Sequence, residues 1–257
     1  MAHYEDYVQY YDIENTFSED VPFYLSHAKQ YGPRTLELAC GTGRLLLQLA
    51  SEGVAIDGLD FSQNMLSICQ KKMDGLALGE VPQLIRSDMA HFELPFKGYG
   101  LIYVPFRSFM HLFTQEDQLD CLRCAYEHLR PGGIFIVDVY APLYEVLLQE
   151  PDSPFEVIKE YDMPNGNHVV RSDRFVSNDP VTQVQHCERR FQEFSRDGAL
   201  VTETVVPMDT RYTFRYELQL LLEKAGFEVM DAFGDYDESP FDGTGEIIMV
   251  GRKRVLH

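Results

Sequence analysis

The stretch TLELACGTGRLLLQLA, residues 35–50, limits the possible folds of this chain more than any other segment. Its apolar first part meets a turn of small residues that contains Gly41 and Gly43, and a leucine-rich helical segment follows. Glycine adopts the positive φ angles that tight turns need, and it lets a ligand approach the backbone. The stretch therefore predicts a buried strand, a nucleotide-binding loop and a helix, although it lacks the GxGxxG fingerprint of dinucleotide-binding domains.

Apolar segments alternate with helical segments over the first 150 residues. Further strands are predicted at residues 54–60, 82–88, 100–106 and 133–140. Helices are predicted at residues 4–31 (one or two helices), 43–53, 61–75 and 114–129. Ser62 and Thr114 are candidate N-caps, and Pro131-Gly132-Gly133 is expected to end the last of these helices. Strands that are apolar through most of their length and alternate with helices are typical of a parallel sheet covered on both faces.

The pattern changes after residue 150. Residues 151–212 have no helical period, and turn signals at 165–166, 177–180 and 196–198 separate about four strand-like segments. Residues 213–226 then predict a helix with Thr213 as its cap and Gly226 at its end. Two last strands, at 227–236 and 245–254, are only a loop apart, so they are expected to pair antiparallel.

These elements predict an α/β fold in which a Rossmann-like, mostly parallel sheet ends in a β-hairpin and carries an inserted antiparallel β lid. The expected domains are an N-terminal helical cap at residues 1–33, a core at 34–150 and 213–257, and the lid at 151–212.

The charge balance of the chain limits which kinds of molecule it is expected to bind. The chain has 41 acidic residues against 22 Lys and Arg, a formal net charge of −19. Such a field repels phosphate backbones and anionic surfaces, so nucleic acid and membrane partners are disfavoured. We see neither an apolar run of about 18 residues nor a signal peptide, and we expect a cytoplasmic protein. Cys121 and Cys124 share one helix face without a second ligand pair, which favours buried, reduced thiols over a metal site.

Polar or small residues follow the predicted strands where each strand ends. In an open parallel sheet, ligands bind at the carboxyl ends of the strands. Asp60, after the second strand, can accept two hydrogen bonds from a ribose diol. Asp88, after the third, can accept from an exocyclic amine, with Met89 stacked on the base. Because no basic residue accompanies these acids as a phosphate clamp, the expected ligand is an adenosine without a pyrophosphate.

Four segments, LELACGTG, GLDFSQNML, RSDM and LRPGGIFIVDVY, resemble the successive motifs of the class I S-adenosylmethionine (SAM) methyltransferases. The resemblance runs from about residue 34 to 140 and resumes from about 213 to 251. It implies SAM as the cofactor and a seven-stranded sheet that ends in a hairpin. Ala39 departs from the pattern, because the family often has Gly at that position.

The resemblance also implies which residues contact the cofactor. The methionine end is assigned to Glu37, Ala39, Gly41 and Gly43, the ribose to Asp60, the adenine to Phe61, Met65, Asp88 and Met89, and Phe106 joins them at the end of the fourth strand. For three of these residues a plainer interpretation stays open: Asp60 as a helix cap, Met65 as a core residue and Asp88 as a loop acid.

The acceptor side is expected after the fourth and fifth strands. His111 is the candidate base, because histidine titrates near ~6.5 and because the sequence resembles small-molecule N-methyltransferases, including amino-sugar dimethyltransferases, with a His at this place. It could instead merely cap a loop. Arg107 could anchor an acceptor carboxylate or bridge to the lid, Tyr140 faces the expected acceptor cavity, and Tyr11 either contacts the ligand or packs within its helix.

The resulting functional prediction is SAM-dependent methyl transfer to N or O of a small-molecule acceptor. A SAM-binding regulatory protein of the same fold, without transfer activity, is the alternative. A nicotinamide-dependent oxidoreductase is disfavoured by the absent GxGxxG and by the terminal hairpin. Lids of this kind often form dimers by sheet packing, so a homodimer through the lid is a further expectation.

Overall fold

The computed structural model describes residues 7–255, and these divide into two compact units. The larger unit contains residues 8–141 and 213–255, and the smaller contains residues 142–212 together with Tyr7. This division differs from the expected domain limits, since residues 8–33 belong to the larger unit and residues 142–150 to the smaller. Of the predicted helical region at residues 4–31, residues 4–6 lie outside the described residues, and the rest contains two helices.

The larger unit is built on a seven-stranded sheet with the order β11-β12-β5-β4-β1-β2-β3. Its strands are β1 (Thr35–Leu38), β2 (Ile56–Asp60), β3 (Leu84–Arg86), β4 (Tyr99–Val104), β5 (Leu129–Tyr140), β11 (Phe227–Phe233) and β12 (Glu246–Lys253). The first five strands pair in parallel, whereas β12 pairs antiparallel with both β5 and β11. The predicted mostly parallel sheet with a terminal hairpin is therefore confirmed.

Within the described residues, six α-helices accompany this sheet. They are α1 (Val8–Glu14), α2 (Val21–Tyr31), α3 (Leu46–Ser51), α4 (Gln63–Met73), α5 (Gln115–His128) and α7 (Arg215–Ala225). The Ser62 side chain accepts from the Met65 amide, and the Thr114 side chain accepts from the Asp117 amide, so both predicted N-caps are confirmed.

Three predicted details were wrong, each for a tertiary reason. Residues 41–45 form turns that include the two glycines, so α3 begins only at Leu46. Pro131-Gly132-Gly133 lies inside β5, where four residues bulge out between the Tyr99–Leu129 and Leu101–Ile134 pairs of the β4–β5 ladder. The N-cap of α7 is Phe214, because the hydroxyl of Thr213 accepts instead from the buried Gln118 amide at 3.3 Å.

The core lies on both faces of the seven-stranded sheet. Successive side chains of a strand point to opposite faces. Accordingly, Leu101 and Tyr103 of β4 belong to one buried cluster, whereas Ile102 and Val104 belong to the other. Burial on both faces explains the continuous apolar runs of the sequence. It also leaves the strand ends as the places where polar side chains accumulate.

The smaller unit is an antiparallel sheet with the order β10-β8-β7-β6, in which β9 also pairs with β8. Its elements are α6 (Tyr144–Leu147), β6 (Glu156–Asp162), β7 (His168–Asp179), β8 (Val184–Phe194), β9 (Leu200–Pro207) and the two-residue β10 (Thr210–Arg211). Phe191 and Val169 are fully buried, and the ring of Tyr7 stacks on Phe191 at 5.4 Å. The predicted inserted antiparallel sheet is confirmed.

Within residues 7–255 no helix has the length and apolar character needed to cross a membrane.

Candidate active site

The glycine loop after β1 turns on three positive φ angles, at Ala39 (57°), Gly41 (55°) and Gly43 (80°). The two glycines are required for different reasons. A Cβ on Gly43 would lie 2.5 Å from Cys69 Sγ and 2.9 Å from Leu47 Cγ, so a side chain there would force its neighbours to move. A Cβ on Gly41 would meet only the Tyr11 ring, with its hydroxyl at 3.8 Å. Local packing therefore permits a side chain at Gly41, and only its φ angle disfavours one.

Asp60, at the end of β2, joins two loops. Its Oδ2 accepts from the Gly41 amide at 2.7 Å, and its Oδ1 accepts from the Ser62 amide at 2.8 Å. The N-cap of α4 is Ser62, so capping does not explain Asp60. The carboxylate instead fixes the glycine loop beside the start of α4.

Glu37 is buried at the end of β1, only 2% exposed, and its carboxylate accepts from the Tyr103 hydroxyl at 2.8 Å. Burial raises the pKa of Glu37 to about 8, and the Tyr103 hydrogen bond and the charge of Arg44 oppose that rise. Arg44 itself forms two hydrogen bonds with Asp20, at 2.6 and 2.8 Å. An acid with such a pKa can exchange a proton near neutral pH when a cation arrives.

Of the predicted adenine residues, Phe61 directly follows β2, Met65 lies in the first turn of α4, and Asp88 and Met89 follow β3. Met65 and Met89 are buried, whereas the Phe61 ring is 47% exposed. The Asp88 carboxylate is half-buried and accepts from the Ala90 amide at 2.9 Å, which makes it part of a turn. An exposed ring and a half-buried carboxylate on neighbouring strand ends are suited to stacking on a base and accepting from its amine.

The loop after β4 holds the candidate acceptor residues. Phe106 and Arg107 both adopt left-handed backbone angles, with φ of 56° and 62°. The Arg107 guanidinium pairs with Glu246 and lies 3.9 Å from the centre of the Tyr140 ring, which is 49% exposed. His111 ends a 3-10 turn, Ser108–His111, and is half-buried. Arg107 thus has a carboxylate partner within its own unit.

Helix α1 lies against the glycine loop. Asp12 accepts from the Thr42 hydroxyl at 2.6 Å and forms an ion pair with Lys72 at 2.6 Å. Lys72 also donates to the Thr42 carbonyl at 3.1 Å. These contacts keep Tyr11 above Gly41, whereas Tyr10, on the same helix, is fully buried.

Sequence reasoning missed several polar residues that shape this edge of the sheet. Asp138 of β5 is fully buried and accepts from two tyrosine hydroxyls and two backbone amides. A charged residue inside the apolar run IFIVDVY was a visible signal for it. Asp12, Lys72 and Asp20 carry no comparable signal, because their partners are distant in sequence.

The thiols of the CxxC pair are structural features of α5. Cys121 is buried in the core, and Cys124 Sγ donates to the Ala90 carbonyl at 3.5 Å. Burial raises the pKa of both thiols, which keeps them protonated. Across the described part of the chain, no group of three or more His, Cys, Asp and Glu side chains is arranged to hold a metal ion.

Comparison with known proteins defines the class. Residues 35–133 match the family model described as a methyltransferase domain. A protein of Geobacillus sp. (strain WCH70), provisionally named a methyltransferase, is 26% identical over 270 aligned residues, which cover 97% of this chain and 99% of the relative.

Two solved structures share the fold. The CcbJ methyltransferase from Streptomyces caelestis superimposes with a TM-score of 0.79 at 23% identity and 98% coverage of both chains. SAM-bound CalS10, an amino pentose methyltransferase from Micromonospora echinaspora involved in calicheamicin biosynthesis, gives 0.70 at 20% identity, with 96% of this chain and 98% of that chain covered. The resemblance found in the sequence is confirmed: residues 35–133 match a methyltransferase domain, and the chain has the fold of these solved methyltransferases. Its own sheets are a seven-stranded sheet and an inserted antiparallel sheet.

Proposed function

We propose that this methyltransferase uses SAM and methylates a nitrogen or oxygen atom of a small-molecule acceptor. The link between Asp60 and the Gly41 amide carries the proposal, because it joins a ribose-binding carboxylate to a glycine loop at the carboxyl edge of the sheet. The methyltransferase-domain match over residues 35–133 supports it.

The residues at this edge fit SAM in three respects. Gly41 has no side chain between the backbone and a ligand, and the Tyr11 ring lies beside it. A carboxylate offers about four acceptor positions, enough for the two amides that Asp60 binds and for two ribose hydroxyls. The buried acid Glu37, near the end of β1, suits an ammonium rather than a pyrophosphate. Phe61, Met65, Asp88 and Met89 would hold the adenine, and Ala39, Gly43 and Phe106 would complete the cofactor site.

SAM supplies a methyl group that its sulfonium has already activated. The chain then has to align the acceptor, an effect that can contribute roughly 7–11 kcal/mol. A base is needed only for an acceptor that arrives protonated, and we assign that role to His111, with Tyr11 aligning the reacting groups from α1. Tyr140 would contact the acceptor.

We infer that the acceptor is a neutral or basic molecule, with amines first. CalS10 is named as an amino pentose methyltransferase, and Arg107 already pairs with Glu246 instead of presenting an open cation. An anionic acceptor would have to compete with Glu246 for Arg107. We propose a cytoplasmic enzyme that forms a homodimer through the inserted sheet, which light scattering can test.

Calorimetric titration tests the cofactor. SAM and its demethylated product S-adenosylhomocysteine (SAH) are expected to bind with micromolar affinity, and Asp60→Ala is expected to abolish binding. Asp74→Ala, an exposed acid at the far end of α4, is the matched control. Heat with NAD but none with SAM or SAH would contradict the proposal.

Transfer itself needs a second assay. Radiolabelled SAM is incubated with amino-sugar nucleotides, simple amines, phenols and carboxylates, and labelled products are separated. Turnover of an amine or hydroxyl acceptor supports the enzyme, and His111→Ala is expected to slow it by about 10²–10⁴-fold if the His is the base. SAH binding without turnover of any acceptor would favour the regulatory alternative.

A further inference from the structure

The carboxylate of Asp138 is a fully buried charge at the centre of four hydrogen bonds. Oδ2 accepts from the Tyr24 hydroxyl at 2.7 Å, from the Tyr236 hydroxyl at 3.1 Å and from the Phe106 amide at 3.0 Å. Oδ1 accepts from the Arg107 amide at 2.5 Å. Burying a carboxylate is costly unless hydrogen bonds compensate it, and these four donors do so. The role of such a costly group inside the sheet requires an explanation.

The two backbone donors belong to consecutive residues in an unfavourable conformation. Phe106 and Arg107 have φ of 56° and 62°, the left-handed region that disfavours residues with a Cβ. Successive amides in such a turn point to the same side and form a concave site for an anion. Here the anion is a side chain of the same protein, supplied by the neighbouring strand β5.

This turn determines where the candidate acceptor residues lie. It reverses the chain directly after β4, and the 3-10 turn that carries His111 follows at once. It also directs the Arg107 side chain to Glu246 and to the Tyr140 ring. A different backbone at residues 106–107 would therefore displace Arg107 and His111 and break the contact between Arg107 and the Tyr140 ring.

We propose that Asp138 is a positioning residue for methyl transfer, and that it acts by holding the turn at residues 106–107 in its left-handed form. Tyr24 and Tyr236 hold the carboxylate in turn: Tyr24 from α2, Tyr236 from the loop after β11. The kinetic consequence rests on the proposed function; the conformational one does not.

Amide hydrogen exchange on the full chain tests the conformational part. In Asp138→Asn one oxygen becomes an amide nitrogen that faces donors, so exchange at residues 106 and 107 is expected to accelerate at least tenfold. Tyr236→Phe, which keeps the carboxylate, is expected to give a smaller acceleration at the same amides and covers the case in which Asp138→Asn does not fold.

Tyr99→Phe is the matched control. Tyr99 also donates a buried hydrogen bond to an aspartate, Asp57, at 2.9 Å, but at the opposite end of β4. It is expected to leave exchange at 106–107 unchanged. Equal protection of these amides in wild type, Asp138→Asn and Tyr236→Phe would overturn the proposal, whether or not the protein binds SAH.

The kinetic part uses an acceptor that is turned over in the labelling assay. At saturating SAM, Asp138→Asn is expected to lower kcat/KM for the acceptor at least tenfold, Tyr236→Phe less, and Tyr99→Phe within twofold of wild type. If loss of thermal stability were the only effect, kcat/KM would fall in Tyr99→Phe as well as in Asp138→Asn. If all three variants lose activity in proportion to their melting temperatures, Asp138 is merely structural and the proposal fails.

Discussion

The Asp60 carboxylate and the Gly41 amide are joined by a 2.7 Å hydrogen bond across 19 residues of sequence. The same carboxylate binds the Ser62 amide at 2.8 Å, so one side chain fixes both the glycine loop and the start of α4. The proposed ribose-binding residue is therefore also the residue that shapes the loop next to it. Binding and stability are expected to change together when it is altered.

Asp60→Asn is expected to lower the free energy of unfolding by about 1–3 kcal/mol, because one of the two amides then faces an NH₂ group. SAH affinity is expected to fall at least tenfold. Calorimetry and urea unfolding measure the two effects. Asp74→Asn, on the exposed far end of α4, should change neither. A variant that loses affinity at unchanged stability would show that the Gly41 link contributes nothing to the fold.

Alanine substitutions at Gly41 and Gly43 are expected to separate binding from folding. Gly41→Ala carries only the left-handed strain, about 1–2 kcal/mol, but it narrows the proposed cofactor site and should reduce SAH affinity at least tenfold. Gly43→Ala adds a Cβ 2.5 Å from Cys69 Sγ and 2.9 Å from Leu47 Cγ, and overpacking adds about 1–3 kcal/mol. It should melt several degrees lower than Gly41→Ala.

Gly53→Ala is the control for strain, since its φ is +81° and a Cβ there meets nothing within 4 Å. It should lose stability like Gly41→Ala and bind SAH normally. If Gly41→Ala also binds SAH normally, the methionine end of SAM does not lie against Gly41.

Ala39→Gly is expected to be tolerated and slightly stabilising. Ala39 has a φ of 57°, and removing its Cβ relieves about 1–2 kcal/mol of strain. The greater conformational freedom of glycine in the unfolded chain opposes this gain and destabilises the folded variant by about 0.5–1 kcal/mol. A net gain of about 0–1 kcal/mol should appear in thermal melts. Ala50→Gly in α3, where the backbone is helical, should instead destabilise; loss of stability in Ala39→Gly would contradict the strain argument.

The sequence alone predicted what depends on short-range pattern. The glycine turn, the caps Ser62 and Thr114 and the succession of strands and helices along the chain follow from periodicity and local turn chemistry. Because both faces of the sheet are buried, most polar residues were expected at the strand ends, with Asp57 and Asp138 as buried exceptions inside strands. The convergence of the strand-end residues at one edge was therefore predictable, even though the 2.7 Å contact between Asp60 and Gly41 was not.

Long-range polar partners could not be predicted. Arg107 finds Glu246 139 residues away, and Tyr24 finds Asp138 114 residues away. From the sequence alone, Arg107 and Asp138 could equally have contacted solvent, a ligand or another side chain. Their partners are determined only by the packing of the folded sheet. Thr213 is a good N-cap by residue type, but Gln118 binds its hydroxyl once α5 and α7 are folded.

Asp12→Ala is expected to loosen α1 and weaken SAH binding by about threefold to tenfold. It removes the bond to Thr42 and the ion pair with Lys72, both of which hold α1 against the glycine loop. The pair is half-exposed, so overall stability should change by less than about 1 kcal/mol. Calorimetry at low and high salt measures the effect, which should be smaller at high salt. Glu52→Ala, which breaks the exposed pair with Lys29, should leave SAH binding unchanged.

Glu37 should make both folding and binding depend on pH. Its pKa rises from 4.5 to about 8 in the folded chain because it is buried. Between these two values the folded state binds more protons than the unfolded state, so stability is expected to fall as pH rises from about 5 to about 8. Glu37→Gln, which resembles the protonated acid, should remove this slope. Tyr103→Phe removes a hydrogen bond that lowers the Glu37 pKa, so the loss of stability with rising pH should continue to higher pH in this variant.

The same pKa predicts a proton count for ligand binding. If the ammonium of SAH lies beside Glu37, it favours the ionised carboxylate, so binding at pH 6.5 should release close to one proton. Titrations in two buffers of different ionisation enthalpy measure that number. Glu37→Gln should release none and bind more weakly, whereas Asp88→Asn, whose proposed contact is at the adenine end, should still release the proton. Equal heats in both buffers for the wild-type protein would mean that no proton is released. The ammonium would then not lie beside Glu37, because a neighbouring cation would ionise the buried acid.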